Sequence, residues 1–127
     1  MKKISEYMTK LPHSIEPHSS VETAKKRMYD LKVTHLPVLA GGKIVGLLSE
    51  RDILYLKGLE SVDLSEVKVG DAMIPEPVVV KPERNLSDVC QEMLDNRIGS
   101  VLVEQDQGLV GIFTDVDALK VLAGVRP

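Results

Sequence analysis

Two stretches of the chain gather side chains that could do chemistry. Gly46-Leu47-Leu48-Ser49-Glu50-Arg51-Asp52 and Gly111-Ile112-Phe113-Thr114-Asp115-Val116-Asp117 each put a hydroxyl residue at the end of an apolar run and an Asp three positions later. If that Asp lies in the first turn of a helix, the free N–H groups of the turn attract an anion. The carboxylate beside them can accept both hydrogen bonds of a ribose cis-diol. That pairing suits a nucleotide. The same spacing has a plainer use, because a Ser or Thr followed three residues on by an acid is a capping box, which satisfies the orphan N–H groups of a helix start and binds nothing. From the residues alone, both uses stand.

Other chemistries find little support. His13, His18, His35 and Cys90 show no metal-ligand spacing, and a lone cysteine allows no intramolecular disulfide. Neither a Gly-x-Ser-x-Gly elbow nor a phosphate-cradling Walker loop occurs, so the sequence reads as non-catalytic. Met8, Met28, Met73 and Met93 are better placed as core filler than as a ligand platform.

Composition narrows the partners. The chain has 127 residues and a net charge of −3, with three Tyr, one Phe and no Trp, so it offers neither the cationic surface nor the stacking platforms that nucleic-acid strands require. The opening MKKISEYMTK lacks the apolar core of a signal peptide, and the longest apolar runs fall far short of the ~20 residues that span a bilayer. A soluble, cytoplasmic protein that does not enter a membrane is expected.

The elements that must position the two motifs come in duplicate. A shift of 65 residues aligns Tyr7 to Leu54 with Ala72 to Leu119 without a gap, bringing Met8 onto Met73, Pro12 onto Pro77, Met28 onto Met93, Gly46 onto Gly111 and Asp52 onto Asp117. Each copy reads strand, helix, strand, strand, helix. In the first, Ser19 and Glu22 have capping-box spacing, Val21, Ala24, Met28 and Leu31 recur at helical spacing, and Gly41-Gly42 separates two apolar runs as a tight hairpin turn. In the second, Asn85 is the expected N-cap. The division expected is a first repeat over 1–57, a linker over 58–69 and a second repeat over 70–127. A unit of about 50 residues is near the lower limit for independent folding. The copies are therefore expected to pack together around a shared core with approximate two-fold symmetry and two equivalent clefts.

The segments YMTKLPHSIEPHSSVETAKKRMYDLKVTHLPVL…KIVGLLSERDIL and AMIPEPVVVKPERNLSDVCQEMLDNRIGSVLVE…GLVGIFTDVDAL resemble the CBS domain, and their tandem spacing resembles a CBS pair, or Bateman module. The resemblance implies an α/β (α+β) fold of two β-α-β-β-α repeats. It also implies a module that binds AMP, ADP, ATP or S-adenosylmethionine between its repeats and reports occupancy by changing conformation. The ribose role falls on Asp52 and Asp117, with Ser49 and Thr114 near ribose or phosphate. Base packing falls on Val78, Ile98 and Gly99 for the Asp52 cleft, and on His13, Val33 and Thr34 for the Asp117 cleft. Leu102 stands where the first repeat has its hinge residue Pro37, a departure from the family pattern.

The two clefts differ. Arg51, Thr34 and His35 attend Asp52, whereas Val116, Gly99 and Ser100 occupy the corresponding places at Asp117. Arg grips phosphate through two parallel hydrogen bonds, and His is a donor that becomes cationic when protonated. The Asp52 cleft is thus expected to prefer the more phosphorylated ligand. The resemblance also implies a homodimer that signals to a separate effector protein. The contrasting expectation is a homodimeric interaction scaffold whose hydroxyl-x-x-Asp elements only cap helices.

Overall fold

The computed structural model describes residues 2–59 and 61–125. Its hairpins are its most regular parts. In the first, β2 (His35–Ala40) and β3 (Lys43–Ser49) pair antiparallel around Gly41 and Gly42, whose φ values of 58° and 82° give the left-handed turn that matches strand twist. In the second, β6 (Ser100–Gln105) and β7 (Gly108–Thr114) turn at Asp106 and Gln107, which adopt φ of 52° and 65° without the freedom of glycine. Each hairpin slips register at the same place, between Val38 and Leu39 and between Val103 and Glu104. Duplication has preserved even this irregularity.

Helices precede and follow each hairpin. α1 (Val21–Leu31) and α4 (Leu86–Asn96) each bury one apolar stripe: Val21, Ala24 and Met28 in α1, and Leu86, Val89 and Met93 in α4. Both end in a non-glycine residue in the left-handed conformation, Lys32 and Arg97. Asn85 caps α4 as expected, its side chain accepting from Ser87 N. The cap of α1 is Ser20 rather than Ser19: Ser20 Oγ accepts from Thr23 N at 3.1 Å, while Ser19 spends its carbonyl on Val69 N. α2 (Glu50–Lys57) and α5 (Asp115–Leu122) close the repeats.

The chain divides into two compact units, and neither is a contiguous repeat. One is residues 13–77; the other joins the segment ending at Pro12 to the chain from Val78 onward. In the second unit, β1 (Thr9–Lys10) adds antiparallel to β7, and β5 (Val79–Val80) lies parallel to β6, giving the strand order β1-β7-β6-β5. In the first, β4 (Ile74–Pro75) adds to β3, and Ile15 makes the bridge to Val38 that corresponds to β5. Each unit therefore borrows its outer strand from the other copy of the repeated sequence.

A methionine locks each borrowed strand. A Cβ at Gly46 would collide with Met73 Sδ, and one at Gly111 with Met8 Sδ, so glycine at these points lets the thioether lie directly on the strand. Each unit holds a core cluster of its own among the described residues. One centres on Ile15, Leu36, Val38 and Leu48, the other on Ile4, Val101, Val103 and Phe113. The segment after α2 is docked more firmly than a surface linker: Val67 and Leu64 carbonyls accept from Val21 N and Glu22 N. Val69 then opens the short helix α3 (Val69–Ala72) fully buried.

Candidate functional site

The end of each central hairpin strand runs straight into a helix, which puts the repeated motif where its spacing foretold. Ser49 and Thr114 are the N-caps of α2 and α5, and Asp52 and Asp117 lie at the third helical position. Both capping boxes are closed. Asp52 Oδ2 accepts from Ser49 N at 3.0 Å and from Ser49 Oγ at 2.8 Å, while Ser49 Oγ accepts from Asp52 N at 3.1 Å. In the second motif Asp117 Oδ2 accepts from Thr114 N at 3.0 Å and from Thr114 Oγ1 at 3.4 Å, and Thr114 Oγ1 accepts from Asp117 N at 3.4 Å.

Capping engages only one oxygen of each carboxylate. Asp52 Oδ1 has no hydrogen bond from the described residues, and Asp117 Oδ1 receives only a long 3.4 Å bond from Thr9 Oγ1. The two uses of the motif, open alternatives at the level of sequence, are thus compatible: Oδ2 holds the helix start and Oδ1 stays available to a ligand hydroxyl.

The surroundings of the two carboxylates differ in a way the sequence did not show. Asp52 is half-buried, whereas Asp117 is 7% exposed and is the one buried polar side chain among the described residues. It lines a cavity of about 460 Å³ with Tyr7, Thr9, Lys10, Lys120 and Val121. That volume is within the range of small-molecule sites. Lys10 and Lys120 supply cations there, and both were missed. Lys120 was visible as the position three beyond Asp117 on its helix. Lys10 was not, because nothing in one repeat announces that its first strand joins the other repeat's sheet.

The remaining sequence-derived candidates divide between the units. His13, Val33, Thr34, His35, Ser49, Arg51 and Asp52 lie in the 13–77 unit, and Val78, Ile98, Gly99, Ser100, Thr114 and Asp117 in the other. Within each, the loop before the hairpin is tied to the motif's helix: Thr34 carbonyl accepts from Glu50 N at 2.8 Å, and Gly99 carbonyl from Asp115 N at 2.9 Å. His35 and Ser100 stand opposite Ser49 and Thr114 in the strand register. His35 Nδ1 and Thr34 Oγ1 are hydrogen-bonded at 3.0 Å. Arg51 is solvent-exposed, and His13 lines a separate surface hollow with Ser14, Lys26 and Arg27. Among the described residues no group of three or more His, Cys, Asp or Glu could hold a metal ion, and no helix is long and apolar enough to cross a membrane.

This doubled arrangement has a counterpart among known proteins. Residues 4–57 and 69–124 each match the family model of the CBS domain. The chain belongs to the CBS domain family. As a CBS pair it is similar to the chloroplastic protein CBSX1 of Arabidopsis thaliana, 28% identical over 87% of this chain and 60% of CBSX1. It is also similar to MJ0188 of Methanocaldococcus jannaschii, 29% identical over 93% of this chain and 43% of the relative. The CBS pair here thus spans about two-fifths to three-fifths of the length of these relatives. The crystal structure of CBSX2 in complex with AMP superposes with a TM-score of 0.86 at 27% identity, each chain covered completely. The CBS domain pair of MJ0100, solved with 5′-methylthioadenosine and S-adenosyl-L-methionine, shares the fold with a TM-score of 0.88 at 21% identity over 98% of both chains. The α+β architecture of two CBS repeats is therefore shown.

Proposed function

We propose that this CBS pair is a non-catalytic regulatory module that binds an adenine nucleotide or S-adenosylmethionine and passes the signal to a partner protein by shifting between conformations, acting as a homodimer. The observation that carries this reading is the buried carboxylate of Asp117, committed to its helix through Oδ2 alone and bordering a cavity with Lys10 and Lys120. A carboxylate for a ribose diol beside two cations for phosphate is the donor and acceptor set of a nucleotide. The crystal structure of CBSX2 in complex with AMP, whose chain superposes on this one throughout, supports the ligand class. Ser49 and Asp52, with Arg51, Thr34 and His35, form the second candidate set, in which Arg51 faces phosphate.

A thermal-shift series with AMP, ADP, ATP and S-adenosylmethionine tests the reading. A ligand at one hundred times its Kd stabilises the native state by about 2.7 kcal/mol, enough to raise the midpoint by several degrees. Silence from all four at millimolar concentration eliminates the sensor. The second reading, a ligand-independent homodimeric scaffold, is favoured by both capping boxes closing entirely between the protein's own atoms. It would keep its oligomeric state unchanged across the whole series.

A further inference from the structure

The borrowed outer strands bring different chemistry to the two carboxylates. Against β7, Lys10 stands opposite Gly111 and Thr9 opposite Ile112; against β3, Pro75 stands opposite Gly46 and Ile74 opposite Leu47. The helices differ at the matching place as well. Lys120 follows Asp117 by three positions, about one turn along α5, where α2 has Tyr55 three positions after Asp52. The charged side chains lining the Asp117 cavity are the cations Lys10 and Lys120 and the carboxylates Glu6 and Asp117. Their counterparts at the 65-residue offset are Pro75, Tyr55, Asp71 and Asp52. Both acids are kept and both cations are lost. Arg51, whose counterpart is Val116, returns a single cation to the Asp52 set.

We infer that Lys10 and Lys120 make the Asp117 cavity the site that reads the length of a nucleotide's phosphate chain, taking ATP and ADP ahead of AMP. The Asp52 set holds at most the single phosphate that Arg51 faces. The inference rests on the nucleotide reading above and divides its ligands between the two sites. It reverses the order expected from Arg51 and His35. AMP carries roughly two negative charges near neutral pH, and each further phosphate adds more. With Asp117 engaged on the ribose, that growing charge falls to the lysines. Both are exposed, and an ammonium on a flexible stem can follow an added phosphate where a guanidinium is confined to its planar fork. At the matching positions of the other unit two carboxylates disfavour a long anionic chain. A ligand with a sulfonium cation, such as S-adenosylmethionine, is suited to that balance, and the Tyr55 ring offers a cation a face. The lysine pair repels it.

Calorimetric titration with AMP, ADP, ATP and S-adenosylmethionine, in low salt without magnesium, tests it on the parent chain and on a Lys10→Gln, Lys120→Gln double variant. Because both lysines are exposed, the double variant keeps its fold. The parent is expected to bind ATP about tenfold more tightly than AMP, and the double variant to bind the three nucleotides within about twofold of one another. S-adenosylmethionine is expected to bind the double variant at least as tightly as the parent, since the change removes a repulsion. Arg51→Gln is expected to flatten the nucleotide series less than the double variant does. A parent that does not prefer ATP, a preference that outlasts both lysines, a series flattened more by Arg51→Gln, or weaker S-adenosylmethionine binding in the double variant overturns the assignment while leaving the sensor standing. No heat from any of the four ligands overturns both.

Discussion

A single carboxylate can belong to the fold and to a ligand at once. Asp52 and Asp117 close capping boxes through Oδ2, so replacing either with Ala removes a cap and costs about 1 kcal/mol in urea unfolding. If Oδ1 serves a ribose, Asp117→Ala also removes nucleotide heat from calorimetric titration, and the folded fraction under those conditions stays near complete. A variant that loses the stability increment yet titrates like the parent would mark the residue as a cap only. The motif was fully legible in the sequence: hydroxyl, spacing and acid all lay where the helix start needed them. What could not be read was how the two oxygens would be divided, because that depends on where strand and helix place the neighbouring donors. Thr9, which reaches Asp117 Oδ1, stands 108 positions away in the chain.

Elements were legible where local chemistry decides and obscure where packing does. Gly41-Gly42 announced the first hairpin turn, since only glycine takes positive φ without strain. Its counterpart, Asp106-Gln107, gave no such signal, yet both residues hold the same left-handed conformation. Gln107→Gly should therefore raise stability by up to about 1 kcal/mol, read as a higher urea midpoint with unchanged slope. Ser19 shows the opposite difficulty: its spacing to Glu22 signalled a capping box, yet the cap is its neighbour Ser20, whose Oγ accepts from Thr23 N. The contact of Met8 with Gly111 is a third case. Gly111→Ala is expected to cost roughly 1–3 kcal/mol by overpacking, and Met8→Ala in the same chain should recover part of that loss because every crowded atom belongs to the flexible thioether.

At the scale of the molecule the repeat was evident, but its consequence for the fold was not. Similar sequence at a 65-residue offset implies two similar folds; it does not say which copy supplies each outer strand. The structure answers with exchange, and this makes two cuts of the chain informative. Fragments 1–68 and 69–127 each carry one whole repeat, but each lacks the outer strand and locking methionine that the other supplies. Neither should show a cooperative thermal transition alone, and mixing them should restore one, followed by circular dichroism. Ile4 gives a finer probe of the same exchange. It is fully buried, so Ile4→Ala should cost roughly 2–5 kcal/mol, where an undocked segment would make the change silent.

That exchange also sets an order of events during synthesis. The 13–77 unit has all its strands once the ribosome has passed Pro77, and it can close while the rest of the chain is still being made. Ile4, Met8 and Thr9 emerge well before their unit closes, because their partners Phe113, Gly111 and Ile112 follow only with the second hairpin. These residues must therefore wait, unpaired and partly apolar, until the second hairpin has been made. For that interval they are the part of the nascent protein that chaperones and proteases meet.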